Sequence, residues 1–141
     1  MITLDQVERA QKKWGEGIIK IGSLKNNYKL CKQFTSNFLN ERYNLKEGKI
    51  LFKPTKASEK QFRPNLDMAL SYFIGGEDSF CKEDQGFAMK PWIKVSFENS
   101  GFIFEKNRAI AMGNYFFTDL NEKTIKVEYS FGYKLIDSKL Y

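Results

Sequence analysis

From Thr3 to about Tyr43, apolar residues recur at three- and four-residue steps: Leu4, Val7, Ala10, Trp14, Ile18 and Ile21, then Phe34, Phe38 and Leu39. This is the period of a helix with one buried face. Gly22-Ser23 and Asn26-Asn27 interrupt it, which predicts two helices joined near residues 22–28, the second beginning near Tyr28. Thr3 followed by Gln6 fits a capping box at the first helix start. Gly48 then opens a short apolar stretch, Lys49-Ile50-Leu51-Phe52-Lys53, which Pro54 restricts to an edge strand or a strand end. After a mixed loop reaching Arg63-Pro64, a proline at a helix start followed by Leu66, Met68, Ala69, Leu70, Tyr72 and Phe73 predicts a short third helix. Gly75-Gly76 terminates it.

Beyond Pro91 the period changes to two. Ile93, Val95 and Phe97 alternate with Lys94, Ser96 and Glu98, and Asn99-Ser100-Gly101 reads as a turn. Ala109, Ala111, Gly113, Tyr115 and Phe117 then form one face of a second strand. Asp119 to Lys123 makes another turn, and Ile125, Val127, Tyr129, Phe131 and Tyr133 continue the alternation in a third strand. Asp137-Ser138 reads as a hairpin turn with only Lys139, Leu140 and Tyr141 after it, so the returning strand is expected to be missing or incomplete. Helices followed by an antiparallel meander give an α+β fold in a single domain, residues 1–141.

Composition narrows the chemistry. The 141 residues include 13 Phe, 7 Tyr and 2 Trp, which suits an aromatic-lined sheet. The formal charge of +6 is spread through mixed-sign surroundings such as Glu8-Arg9-Ala10-Gln11-Lys12-Lys13, the pattern of a solvated surface rather than a nucleic-acid or membrane footprint. No apolar run approaches the ~20 residues of a membrane span, and no basic, apolar leader opens the chain, so a cytoplasmic location is expected unless a leader has been removed. Histidine is absent. That excludes Ser-His-Asp triads, Cys-His dyads and imidazole metal sites within these residues. Cys31 and Cys81, without CxxC spacing, read as small buried thiols.

Carboxylates and hydroxyls remain. Glu77-Asp78 and Glu83-Asp84 flank Cys81 in a polar loop that either holds a hard cation or is simply solvated. Glu128 lies within a strand between Val127 and Tyr129; facing inward it would be a general base, facing outward a surface charge. Thr55, Ser71, Tyr72, Tyr115, Tyr129 and Ser130 sit beside apolar residues, where each either lines a greasy cavity or satisfies a structural hydrogen bond.

An ordered series of motifs goes further: Phe52-Lys53-Pro54-Thr55, Phe62-Arg63-Pro64, Ala69-Leu70-Ser71-Tyr72-Phe73-Ile74-Gly75-Gly76, Glu83-Asp84-Gln85-Gly86-Phe87-Ala88, Pro91-Trp92, Phe97-Glu98-Asn99, Ala111-Met112-Gly113-Asn114-Tyr115-Phe116-Phe117 and Lys126-Val127-Glu128-Tyr129-Ser130-Phe131-Gly132-Tyr133. From Trp14 onward the chain resembles the iota-class carbonic anhydrases, relatives of the calcium/calmodulin-dependent kinase association domain. The resemblance implies a cone-shaped fold like that of nuclear transport factor two, a strongly curved antiparallel sheet wrapped around N-terminal helices, and a homodimer formed through the open sheet face, where Phe116 would be exposed. It also implies reversible hydration of carbon dioxide to bicarbonate in a hydroxyl-lined pocket. Some members of the family work without metal and others are metal-dependent; the hydroxyl set here points to the metal-free kind, with no cofactor expected and, from the charge pattern above, no nucleic-acid or membrane partner.

By motif position the catalytic hydroxyls carried over are Thr55 and Tyr72, with Ser71, Tyr115, Glu128, Tyr129 and Phe131 around the substrate. A third hydroxyl in the family comes from a His-His-Ser-Ser stretch soon after the position equivalent to Tyr141, which this sequence lacks. The competing readings on the same fold are a non-catalytic small-ligand or oligomerisation domain, and a proton-transfer enzyme with Glu128 as base.

Overall fold

The computed structural model describes residues 1–141. Three helices, α1 (Leu4–Ser23), α2 (Tyr28–Tyr43) and α3 (Leu66–Ile74), precede a curled antiparallel sheet of β1 (Trp92–Phe104), β2 (Arg108–Asp119), β3 (Thr124–Ile136) and the short β4 (Lys139–Leu140), in the order β1-β2-β3-β4. This is the expected α+β arrangement.

The start of α1 is the predicted capping box. The Gln6 amide donates to the Thr3 hydroxyl at 3.2 Å and the Thr3 amide to the Gln6 side chain at 2.9 Å, so two amides that the helix leaves unpaired are satisfied reciprocally. The buried face of α1 carries Val7, Gln11, Trp14, Ile18 and Ile21. Gly17 allows α2 to approach, since a Cβ there would stand 2.2 Å from the Phe38 ring. A single core of 20 residues joins α1, α2 and α3 to the inner sheet residues Ala109, Ala111, Tyr115, Phe117, Val127 and Tyr129. Both cysteines are free and buried, as expected.

Three local expectations are corrected. Residues 49–53 form no strand; two backbone bonds, Ile50 N–H to Pro64 O at 3.0 Å and Arg63 N–H to Phe52 O at 2.8 Å, pair that segment with residues 63–64, and Pro54 prevents the ladder from extending. Pro64 precedes α3 rather than starting it, and Asn65 is the cap, its side chain accepting from the Met68 amide.

Asn99-Ser100-Gly101 is a bulge within β1, not a turn; the pairing shifts between Asn99 opposite Gly113 and Gly101 opposite Met112, and the strand runs on to Phe104. Gly113 makes the bulge possible: a Cβ there would lie 2.2 Å from the Glu98 carbonyl oxygen. Asn99 is also tied across to α1, exchanging bonds with Gln11 at 2.6 and 2.9 Å, so the chain continues as strand where its composition suggests reversal. The turn at Asp137-Ser138 forms as predicted, and Lys134 and Tyr141 pair through two 2.9 Å backbone bonds.

Candidate functional site

A cavity of about 30 Å³ lies between the helices and the inner face of the sheet. That is room for roughly two water-sized molecules. Its wall includes Trp14, Tyr43, Thr55, Tyr72, Tyr115 and Phe131. Four of the seven residues singled out from sequence and resemblance, Thr55, Tyr72, Tyr115 and Phe131, therefore meet in one place.

Each arrives on a different element. Tyr115 and Phe131 are inward residues of β2 and β3, directed by the two-residue period and held in an aromatic cluster; Tyr115 stacks on Trp14 at 5.4 Å, and Phe131 lies 6.0 Å from Tyr115. Tyr72 comes from the later part of α3, where Phe87 stacks on it at 5.9 Å and Phe52 meets it edge-on at 6.2 Å. Thr55 comes from an irregular loop, and its hydroxyl donates to the Glu128 carbonyl oxygen at 2.9 Å across the outer edge of β3. That single bond commits the hydroxyl's proton and leaves its lone pairs free.

The electrostatic setting keeps the phenols neutral. Burial pushes Tyr72 up to about 12, partly opposed by the nearby Arg63 cation. Burial also raises Tyr115, and it raises Tyr43 far above the ordinary phenol range despite the 3.0 Å bond from the Trp14 indole N–H. A desolvated phenolate has lost its water shell, so the protonated, donating form prevails.

Three expected pocket residues lie elsewhere. Ser71 faces the other side of α3, donating to Asp84 at 2.5 Å and accepting from the Phe80 amide at 2.7 Å. The Glu128 side chain is exposed on the outer face, because it alternates with the buried Val127 and Tyr129; only its carbonyl oxygen takes part. Tyr129 is buried beside the site, 5.2 Å from Tyr115, but its phenol donates to Asn99 and accepts from Gln11, so it serves the bulge in β1 rather than the cavity. Sequence reasoning missed Tyr43, whose hydroxyl belongs to this wall. The only signal was its place at the end of the α2 apolar face.

A larger cleft of about 630 Å³ adjoins the cavity, and Trp14, Tyr43 and Phe131 line both. Four cations, Arg42, Lys49, Arg108 and Lys134, and two acids, Glu47 and Glu105, ring it. On the opposite side of α3, Glu59, Cys81 and Glu83 each place a potential ligand atom within 4.8 Å of the others. The Glu83 oxygens are already occupied by backbone amides of Ser58, Glu59 and Lys60 at 2.6–2.8 Å, which makes this cluster a loop anchor. Asp84 is fully engaged too: the buried Arg63 grips it with two 2.8 Å bonds.

Comparison with known proteins adds three findings. The family model described as metal-independent carbonic anhydrase matches residues 5–140. A protein of Nostoc sp. named metal-independent carbonic anhydrase is 35% identical over 130 residues, which are 90% of this chain and 63% of the relative, so the chain spans a little under two-thirds of that relative's length. The crystal structure of an iota-carbonic anhydrase from a cyanobacterium, complexed with bicarbonate, superposes with a TM-score of 0.92 at 34% identity, covering 99% of this chain and 87% of the other.

Proposed function

Because the chain belongs to the metal-independent carbonic anhydrase family, we propose that its cavity interconverts carbon dioxide and bicarbonate without a metal ion. The observation that carries this reading is the convergence of three hydroxyl-bearing residues, Thr55, Tyr72 and Tyr115, on one small, aromatic-walled space. Carbon dioxide is apolar and bicarbonate is not. A site for their interconversion therefore needs greasy walls to admit one and directed donors to stabilise the charge that forms the other.

The residues divide that work. A water molecule accepted by the free lone pairs of Thr55 is held with its oxygen toward the carbon. As the new C–O bond forms, one C=O electron pair moves onto oxygen, where the protonated Tyr72 phenol donates to it; the water proton leaves to solvent. Burial raises the Tyr72 and Tyr115 phenols, so neither is a base near neutral pH. Catalysis in this reading comes from orientation and oxyanion stabilisation. The cationic rim of the adjoining cleft supports it by favouring an anionic product. A homodimer belongs to the same proposal, supported by Ile103 and Ile110, directly opposed on the outer face of β1 and β2 and 63% and 55% exposed, with Met112 beside them. Phe116, also on that face, is half-buried.

Stopped-flow hydration of carbon dioxide tests the assignment. Thr55→Ala and Tyr72→Phe are each expected to lower kcat on the order of 10²-fold with the melting temperature nearly unchanged. Wild-type rates in both would sink it.

A further inference from the structure

The loop that carries Thr55 has little core of its own, yet its hydroxyl must be placed to within a fraction of an ångström. Residues 54–60 pack few apolar groups; Pro54 and Ala57 are the buried ones, and Thr55, Lys56, Ser58, Glu59 and Lys60 are exposed. The loop's backbone polarity is instead satisfied by two ions from outside it. The Lys53 ammonium donates to the carbonyl oxygens of Pro54, Thr55 and Ala57 at 2.9, 3.1 and 3.0 Å. On the far side, the Glu83 carboxylate accepts from the amides of Ser58, Glu59 and Lys60 at 2.7, 2.6 and 2.8 Å. One cation gathers the carbonyls and one anion gathers the amides, so the two halves of the loop are clamped by charges of opposite sign. Charge-assisted bonds of this length are the strong ones.

The anion is not free to drift. Its neighbour Asp84 is buried and gripped by Arg63, whose guanidinium also donates to the Lys60 and Met68 carbonyl oxygens, and by Ser71, which stands next to Tyr72 on α3. Glu83 and Asp84 thus tie the Thr55 loop and the Tyr72 helix to one dipeptide.

We propose that Glu83, opposed by Lys53, is a positioning residue for the Thr55 hydroxyl, fixing its distance from Tyr72 through the Asp84–Arg63 pair. This rests on the reading of Thr55 given above. Glu83 touches no substrate. It acts only through the loop amides, so its influence on the reaction must vanish when Thr55 has no hydroxyl to place.

A double-mutant cycle combined with NMR of the intact chain tests this. Glu83→Gln preserves shape but presents an NH₂ group where a second acceptor is needed. The expected result is a fall in kcat of about tenfold with KM unchanged, on the principle that small misplacements of a reacting group are costly. In the Thr55→Ala background the same substitution is expected to change kcat by less than about twofold. The Ser58, Glu59 and Lys60 amides and the Thr55 methyl should shift in Glu83→Gln, with the sheet signals unmoved. A further tenfold loss in the Thr55→Ala background would overturn the proposal, because Glu83 would then act by another route. An unshifted Thr55 methyl would overturn it as well. If the wild-type protein does not hydrate carbon dioxide, the functional reading fails by itself and the NMR arm alone decides whether Glu83 positions Thr55.

Discussion

The two walls of the cavity are built by different physics. On the sheet side, Tyr115 and Phe131 stand on strands paired along eleven registered positions, within a continuous aromatic cluster that reaches Trp14, Phe97 and Phe117. On the loop side, Thr55 stands on a segment with almost no core, held by Lys53 and Glu83. The sheet wall is positioned by non-directional burial shared among many partners, so it gives way only when the fold does. The loop wall is positioned by a few directional, charged bonds and can lose its geometry while the fold persists.

The largest test of that contrast is stability. Phe117 is fully buried against Trp14, Phe87, Trp92 and Tyr115, so Phe117→Ala is expected to cost about 3–5 kcal/mol in urea unfolding. Lys53→Met removes three bonds from an exposed ammonium and is expected to cost only about 1 kcal/mol. Equal losses would break the comparison.

Acid provides a gentler lever. The backbone amides of Ser58, Lys60 and Glu59, helped by the Cys81 thiol, hold Glu83 at about 2, below its reference value of 4.5, against the desolvation that would raise it. A depressed carboxylate contributes stability that is fully present above its unfolded value and is lost as pH falls through the folded one. Loop stability followed by urea unfolding should therefore hold from neutral pH to about 4.5 and then decline progressively toward about 2, while the loop amide shifts of the folded protein move only as pH approaches about 2. In Glu83→Gln the transition should be absent.

The smallest expected effect is at Glu128. Its carboxylate is exposed and only its carbonyl oxygen meets Thr55, so Glu128→Gln should leave the hydration rate within about twofold. A large loss would return the carboxylate to the mechanism and undo its placement on the outer face of β3.

Much of this architecture is legible in the order of the amino acids. The period of 3.6 marks α1 and α2, and the capping box and Gly75 mark ends that local chemistry dictates. The period of two sorts the residues of β2 and β3 into two faces and puts Tyr115 and Phe131 on the one that the structure turns inward. The same alternation, followed strictly, places Glu128 outside between Val127 and Tyr129. The resemblance marks Thr55 and Tyr72 but sweeps in Ser71 and Glu128 with them, since a motif reports neighbourhood in sequence and not the side of a helix or strand.

What the amino-acid sequence determined alone were the features governed by near neighbours: element type, caps, glycine stops and which strand residues share a face. Only the tertiary structure decided where Asn99-Ser100-Gly101 would go, because turn composition there is overruled by Gln11, 88 residues away. It alone decided that Glu83 and Asp84 are anchors and not a cation loop, because the amides and guanidinium they satisfy come from residues 58–63. The physical reason is common to both. A polar group is indifferent to sequence distance and takes whichever partner remains when water is excluded, and that partner exists only once the chain has folded.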